Sequence, residues 1–281
     1  MIYLKALFQH GYSPDKIYCT SATALIMIHV VLGKWDDSQK LIIGFTDEQI
    51  FGKDKPLNNK GVPRFVAFKR TIMGKNSFGK QTNLHQYMLD NISEELFLEW
   101  QNNVSLPEII VYAYNFKTKQ NELFNLRNEK YLDALDIIEA SSNIPIFINP
   151  KMLNGVPYYD GGSVNAIISP EIIEENYGEI SEVFSIWNRK APNDTLLDLQ
   201  KIPLSSVLPL AFNYVMKIRM ANESVVLEKY QNTLCKLHNI NVRNFYTYTQ
   251  IDSPYDNEPG EKEKDIENGY KKTIKELRSN E

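Results

Sequence analysis

The stretch IYCTSATALIMIHVVLG, residues 17–33, decides the fold. Three β-forming residues are followed by small residues and then by a nearly uninterrupted apolar run. This order is typical of a strand, a tight turn and a helix that is buried on every side. Gly33 then ends the helix, because glycine takes the left-handed conformation at little cost. The sequence therefore predicts a strand–turn–helix unit with Ser21 in its turn.

Strands and helices alternate along the rest of the chain. Hydrophobic periodicity predicts further strands at residues 108–114, 122–126, 183–187 and 242–248, and helices at residues 4–8, 131–138, 205–237 and 257–281. Such alternation is typical of α/β proteins, in which a mainly parallel central sheet carries helices on both faces. We expect a single domain over residues 1–281 with this architecture.

Composition excludes several classes of function. The formal net charge of −4 and the isoelectric point near 5.7 argue against a protein that coats nucleic acid, because such proteins bind by neutralising phosphates. Two cysteines without CxxC spacing and four scattered histidines predict neither a disulfide framework nor a metal site, and no cofactor is expected. The oligomeric state is not predicted by any of these patterns.

Membrane contact is expected to be peripheral. The N-terminus lacks the pattern of a signal peptide. The longest apolar run, residues 24–32, is about half of the roughly 20 residues that span a bilayer. We therefore expect a cytoplasmic protein.

Residues 51–80 form a basic segment, with eight lysines and arginines against the single acid Asp54. Weak periodicity predicts a loop-rich excursion. Lys53, Lys55, Lys69 and Arg70 are candidate contacts to an anionic membrane surface. The alternative interpretation is a solvated surface insertion.

Ser21 is a candidate nucleophile. A serine at a sharp strand-to-helix turn has an exposed hydroxyl near the positive end of the helix, where a developing oxyanion is favoured. Such turns normally carry glycines two positions on either side, where this chain has Cys19 and Thr23. The alternative interpretation is an N-cap serine on a buried helix.

Asp160 is the second candidate, since it stands directly before Gly161 and Gly162. The two glycines predict either a close backbone approach or a positive φ. Ser163 and Asn165 are candidates to hold the carboxylate. The block follows the stretch EASSNIPIFINP, residues 139–150.

Together these motifs resemble the patatin-like phospholipases, a family of lipid acyl hydrolases. The likeness runs from residues 4–7, through the Ser-Ser and Asp-Gly-Gly blocks, to residues 266–270. It implies a three-layer α/β fold, a Ser21 nucleophile, an Asp160 proton acceptor in a turn supported by Gly161 and Gly162, and a lipid or ester substrate. The family's Gly-rich oxyanion loop has no counterpart before Leu4, so we expect either reduced activity or a true start upstream of Met1.

Two further functions stay open. One is a catalytically impaired relative that binds a lipid or a partner. The other is a Ser-Asp-His triad esterase, because Ser21, Asp160 and His238 stand in the chain order of the α/β-hydrolases. The dyad mechanism requires the Ser21 and Asp160 side chains to lie within about 6 Å of each other.

Overall fold

The computed structural model describes residues 2–46, 51, 65–75, 77–79, 83–145, 147–163, 168–187, 225–246, 268, 270–271 and 274–275. The helices are α1 (Ile2–Gln9), α2 (Ala22–Val31), α3 (Trp35–Gly44), α4 (Phe65–Ile72), α5 (Leu84–Asn91), α6 (Glu94–Gln101), α7 (Tyr131–Ala140), α8 (Ser169–Asn176) and α9 (225–237). The strands are β1 (Lys16–Cys19), β2 (Glu108–Asn115), β3 (Gln120–Asn125), β4 (Lys151–Leu153), β5 (Val156–Asp160), β6 (Glu182–Trp187) and β7 (Asn241–Tyr246). No helix within the described residues is long and apolar enough to cross a membrane.

Strand β2 is the centre of a five-stranded sheet. Its first half pairs with β1, with Cys19 opposite Val111, and its second half pairs with β5, with Asp160 opposite Ala113. Strand β3 pairs along both halves, so β1 and β5 must share the other edge of β2. Since β1 runs parallel and β5 antiparallel to β2, their carboxyl ends meet on that edge. This meeting point positions the site described below.

The α/β class is confirmed, but the mainly parallel sheet is wrong for the strands described here. Within this five-stranded sheet only β1 and β2 pair in parallel, and the other three pairings are antiparallel. Short turns join β2 to β3 and β4 to β5, and a short turn forces antiparallel pairing. The third antiparallel pairing, of β2 with β5, joins strands that are distant in the chain. In the second hairpin, Asn154 and Gly155 have φ of 50° and 79°, as a two-residue type I′ turn requires.

Helix α2 forms the middle of the core, as its uniform hydrophobicity predicts. Every residue from Ala24 to Val31 is buried. They cluster with Ile109 and Val111 of β2 and with Leu135 and Ile138 of α7. Helix and sheet therefore fix the turn between β1 and α2 from both sides.

The carboxyl-terminal part contains a second, two-stranded parallel sheet of β6 and β7. Helix α9 lies between these strands in the chain, as the pattern predicts, although residues 205–224 of the predicted helix lie outside the described residues. Phe245 of β7 is buried with Tyr3 and Leu7 of α1, and Tyr270 and Ile274 of the predicted terminal helix pack against this cluster. These contacts favour our proposal of a single domain.

The predicted loop-rich excursion contains a helix. Helix α4 occupies Phe65–Ile72, within the segment that weak periodicity assigned to loop. Ala67 is buried, whereas Phe65 and Ile72 are exposed. At these three positions the exposed residues are large and apolar and the buried one is small, the reverse of the usual pattern for a surface helix. Residues 52–64, which include Lys53 and Lys55, lie outside the described residues.

Candidate active site

Ser21 has a strained backbone. It precedes α2 with φ 57° and ψ −143°, a conformation that costs a residue other than glycine on the order of 1–3 kcal/mol. Ser21 does occupy the N-cap position of α2, as the alternative interpretation has it, but its hydroxyl makes no capping hydrogen bond to the helix. Strain of this kind is typical of the turn that presents a nucleophilic serine.

Neighbouring backbone groups hold the strained turn in place. The Ser21 N–H donates to the carbonyl of Ser141 at 3.0 Å, and the Ala24 N–H donates to the carbonyl of Ser21 at 2.9 Å. The Thr20 hydroxyl lies 2.9 Å from the carbonyl oxygen of Tyr112 in β2 and 3.3 Å from that of Ser141. The turn is thus fastened to β2 and to the end of α7.

Asp160 lies at the end of β5, and only 6% of it is exposed. Its carboxylate accepts a 2.8 Å hydrogen bond from the Gly162 N–H. Burial raises the pKa of Asp160 to about 6, although hydrogen bonds from the Ser21 side chain, the Gly162 and Ser163 amides and the Thr20 side chain pull it down. No lysine, arginine or histidine is among the groups that set this pKa. The Ser21 side chain is thus one of the polar groups that surround the Asp160 carboxylate, and the described part of the chain places no cation among them.

The two glycines after Asp160 are required by a close approach, not by a positive φ. A Cβ on Gly161 would lie 2.5 Å from the ring and 2.8 Å from the carbonyl oxygen of Tyr112. A Cβ on Gly162 would lie 3.2 Å from the Asp160 carboxylate and 3.2 Å from the Thr20 methyl group. The missing side chains let the backbone fold tightly around the carboxylate.

The segment after α7 connects the two candidate residues. Ser141 accepts the Ser21 N–H, and the carbonyl of Asn143 accepts the Asp160 N–H at 2.9 Å. Asn143 is 3% exposed, and its side-chain amide donates to the carbonyl of Asn149 at 3.0 Å. The sequence did not identify Thr20, Ser141 and Asn143 as positioning groups. They are small polar residues at the ends of apolar elements, and such residues are too common to predict a contact with the site.

Other predicted residues lie elsewhere or act differently. The ring of His238 stacks on Tyr177, with centroids 4.1 Å apart. Ser163 contributes its backbone amide, and Asn165 lies outside the described residues. Cys19 is buried, and burial raises its thiol pKa to about 12, so it is an unreactive core residue.

The candidate membrane contacts divide into two groups. Lys69 is exposed on α4. Arg70 instead faces the protein, where its Nε donates to the Ser77 carbonyl at 2.9 Å and its Nη2 to the Ser77 hydroxyl at 3.1 Å. Arg70 therefore fastens α4 internally, while Lys53 and Lys55 lie outside the described residues.

A second cluster of ionisable groups lies on α7. Donor atoms of His85, Asp136 and Glu139 lie within 4.8 Å of one another, the one such group among the described residues. The Lys151 ammonium lies 2.6 Å from each of the two carboxylates. A protein cation therefore already occupies the position that a metal ion would take.

A strained serine turn at the start of a buried helix, beside a buried aspartate, is similar to the turn that presents the nucleophile in α/β serine hydrolases. A family model for patatin-like phospholipases matches residues 1–170, more than half of the chain. The chain therefore belongs to the patatin-like phospholipase family, as the sequence motifs predict. The matched part contains Ser21, Asp160 and the Ser141–Asn143 segment. The comparison with curated proteins gave no match.

Proposed function

We propose that this protein is a lipid acyl hydrolase that cleaves carboxylic ester bonds of phospholipids or related lipids through Ser21 and Asp160. The observation that supports the proposal is the placement of the strained Ser21 beside the buried Asp160, whose pKa the Ser21 side chain lowers and whose described surroundings supply no cation. The patatin-like family supports the lipid substrate class. We propose a cytoplasmic location with peripheral contact to membranes, and Lys53, Lys55 and Lys69 remain proposed lipid contacts.

Acylation begins when Ser21 Oγ attacks the ester carbonyl and Asp160 accepts the hydroxyl proton. A bond forms between Oγ and the carbonyl carbon, and the carbonyl oxygen becomes an oxyanion. As this intermediate collapses, Asp160 returns the proton to the departing alcohol oxygen. The products of this half-reaction are the free alcohol and a Ser21 acyl ester.

Deacylation repeats the same proton transfers with water. Asp160 accepts a proton from the water, whose oxygen attacks the acyl carbon, and then returns the proton to Ser21 Oγ. The carboxylic acid leaves, and both side chains regain their starting states. No cofactor takes part in either half-reaction.

The first turn of α2 supplies donors for the oxyanion. The first N–H groups of a helix have no partner within the helix, and they carry its positive dipole. The Ala22 N–H, directly after the nucleophile, is the donor that strand–turn–helix hydrolases use. Thr23 stands at the next position, where the family motif has glycine, and its N–H belongs to the same turn.

Burial explains how an aspartate serves as the base without a histidine. An aspartate of ordinary pKa is a weak base, whereas a pKa near 6 brings its basicity close to that of an imidazole. The backbones of both residues are fastened to the segment after α7, which supports direct transfer of the proton between them. Proton transfer therefore needs no relay.

The test is covalent labelling and turnover by the full chain. We expect a fluorophosphonate probe to label Ser21 and the protein to hydrolyse a short-chain ester and a phospholipid. Labelling and turnover should be lost in Ser21→Ala, turnover should be lost in Asp160→Asn, and both should persist in His238→Ala.

Other outcomes select the alternatives. Loss of turnover in a folded His238→Ala variant would assign a triad. Lipid binding without labelling or turnover would indicate a catalytically impaired binding protein. The replacement of the two motif glycines by Cys19 and Thr23 favours this alternative.

A further inference from the structure

Helix α4 and the residue after it present large apolar side chains to solvent. Phe65 is 77% exposed, Ile72 is 71% exposed and Met73 is 59% exposed. Phe65 and Ile72 are seven positions apart, so they lie on one face of the helix. Ala67, on another face, is 1% exposed and anchors the helix to the protein. The apolar face is therefore directed outwards by the packing of α4.

Cations lie beside this face. Lys69 is exposed and stands between Phe65 and Ile72 in the helical repeat, and Lys75 is exposed shortly after Met73. The surrounding segment of the sequence, residues 51–80, contains a single acid. Other strongly exposed apolar residues among the described ones, such as Val104 and Leu237, have polar neighbours on both sides in the sequence and are ordinary surface residues.

Internal hydrogen bonds connect α4 to the candidate active site. Arg70 holds Ser77, whose hydroxyl lies 2.7 Å from the side-chain oxygen of Asn149. Asn149 in turn accepts, through its carbonyl, the side-chain amide of Asn143, which holds the backbone of Asp160. The orientation of α4 is thus fixed relative to the proposed catalytic carboxylate.

We infer that the face of α4 formed by Phe65, Lys69, Ile72 and Met73 docks on the surface of an anionic lipid bilayer. The apolar side chains enter the boundary of the acyl chains and Lys69 contacts the headgroup phosphates. The choice of a bilayer as partner rests on the proposed function, because a lipid hydrolase must reach its substrate at that surface. A nucleic acid would use the cations but not the apolar side chains.

The experiment measures binding of the full chain to sedimenting vesicles in a Ser21→Ala background, so that no lipid is hydrolysed. The vesicles are pure phosphatidylcholine, or phosphatidylcholine with about 30% phosphatidylglycerol, in low salt and in about 0.5 M salt. The variants are Phe65→Ser with Ile72→Ser, and Lys69→Glu. The matched controls are Val104→Ser with Leu237→Ser, which remove comparably exposed apolar side chains, and Lys117→Glu, an exposed lysine far from α4 in the sequence.

We expect binding to the anionic vesicles to weaken at least about tenfold in the Phe65/Ile72 variant and about fivefold in Lys69→Glu, with neither control changing it. Bound Phe65→Trp should be quenched by brominated acyl chains, whereas Val104→Trp should gain no quenching over the parent protein. Equal binding by the Phe65/Ile72 variant and its control would overturn the inference. A dimer that this variant dissociates, without vesicle binding, would assign the face to a second copy and overturn it as well. Labelling of Ser21 decides the proposed function separately, because it needs no vesicle.

Discussion

Asp160 and Glu139 are two buried carboxylates with opposite surroundings. Glu139 lies 2.6 Å from the Lys151 ammonium and 3.1 Å from His85 Nδ1. Asp160 has only uncharged donors among the groups that set its pKa. An ion pair stabilises the contact between two elements, while burial of a carboxylate among uncharged donors raises its pKa and its basicity. Pairing therefore makes Glu139 structural and leaves Asp160 able to exchange a proton.

The pKa of Lys151, the cation beside Glu139, reflects this pairing. Burial lowers the pKa of Lys151, but hydrogen bonds and charges from Asp136 and Glu139 outweigh burial and raise that pKa above its ordinary value. Lysine and carboxylates thus stabilise one another, and the cluster ties α7 to β4.

The largest expected effect is on turnover. Asp160→Asn removes the proposed base and should lower kcat by at least about 10³-fold, whereas Glu139→Gln should leave kcat within a factor of a few. Steady-state hydrolysis of a soluble ester measures both, with circular dichroism as the control for folding. Comparable losses of kcat in the two variants would show that the two carboxylates do not differ in function.

Acidity should inhibit turnover for the same reason. Because burial raises the pKa of Asp160 to about 6, kcat should fall about tenfold per unit as the pH drops below that value. The rate of single-turnover acylation, measured as a function of pH, gives the midpoint of this acid limb. A midpoint near pH 4 would mean that Asp160 is solvated in the working enzyme.

Stability should change in the opposite direction to activity. The pKa of Asp160 is about 6 in the folded protein, against an ordinary value of 3.8, so the folded state binds the proton more tightly. The protonated Asp160 therefore stabilises the folded state, and this contribution is fully present below about pH 4 and is lost as the pH rises through 6. Above pH 6, Asp160→Asn should therefore raise the free energy of unfolding by up to about 3 kcal/mol, and this gain should vanish near pH 4. Urea denaturation at both pH values measures the difference, and a gain that is independent of pH would contradict the assigned cause.

Glycine substitutions test the tight turn that isolates Asp160 from water. Gly161→Ala should destabilise the protein by about 1–3 kcal/mol, because its Cβ would meet the ring and backbone of Tyr112. Gly162→Ala, whose contacts are looser, should cost less than about 1 kcal/mol but displace the carboxylate and lower kcat. Gly178→Ala, with nothing within 4 Å of the added Cβ, is the matched control. Equal stability of the Gly161 and Gly178 variants in thermal unfolding would refute the close approach.

Loss of the cation beside the paired carboxylate should affect stability but not turnover. Lys151→Met should lower stability by about 1–2 kcal/mol, because it leaves two partly buried carboxylates without their cation. Adding Glu139→Gln should recover part of this loss, and the acid limb of kcat should stay in place in both variants. A shift of that limb would mean that the two carboxylates are electrostatically coupled.

Local sequence patterns predicted much of this architecture. Uniform hydrophobicity identified α2, apolar β-branched runs identified β2 and β6, and the Asp-Gly-Gly block identified a tight turn. These signals are reliable because burial, periodicity and turn chemistry act between residues close in the chain. Helix α4 was missed because large apolar residues such as Phe65 and Ile72 are exposed on it, where a surface helix normally carries polar residues.

The sequence by itself therefore determined the strand–turn–helix unit, the family and the two candidate residues. Only the tertiary structure decided that β1 and β5 share one edge of β2 and meet at their carboxyl ends, that Ser141 and Asn143 hold both residues, and that no cation reaches Asp160 among its described partners. The physical reason is that strand order, burial and the pairing of charges depend on contacts between distant parts of the chain. No local pattern encodes them.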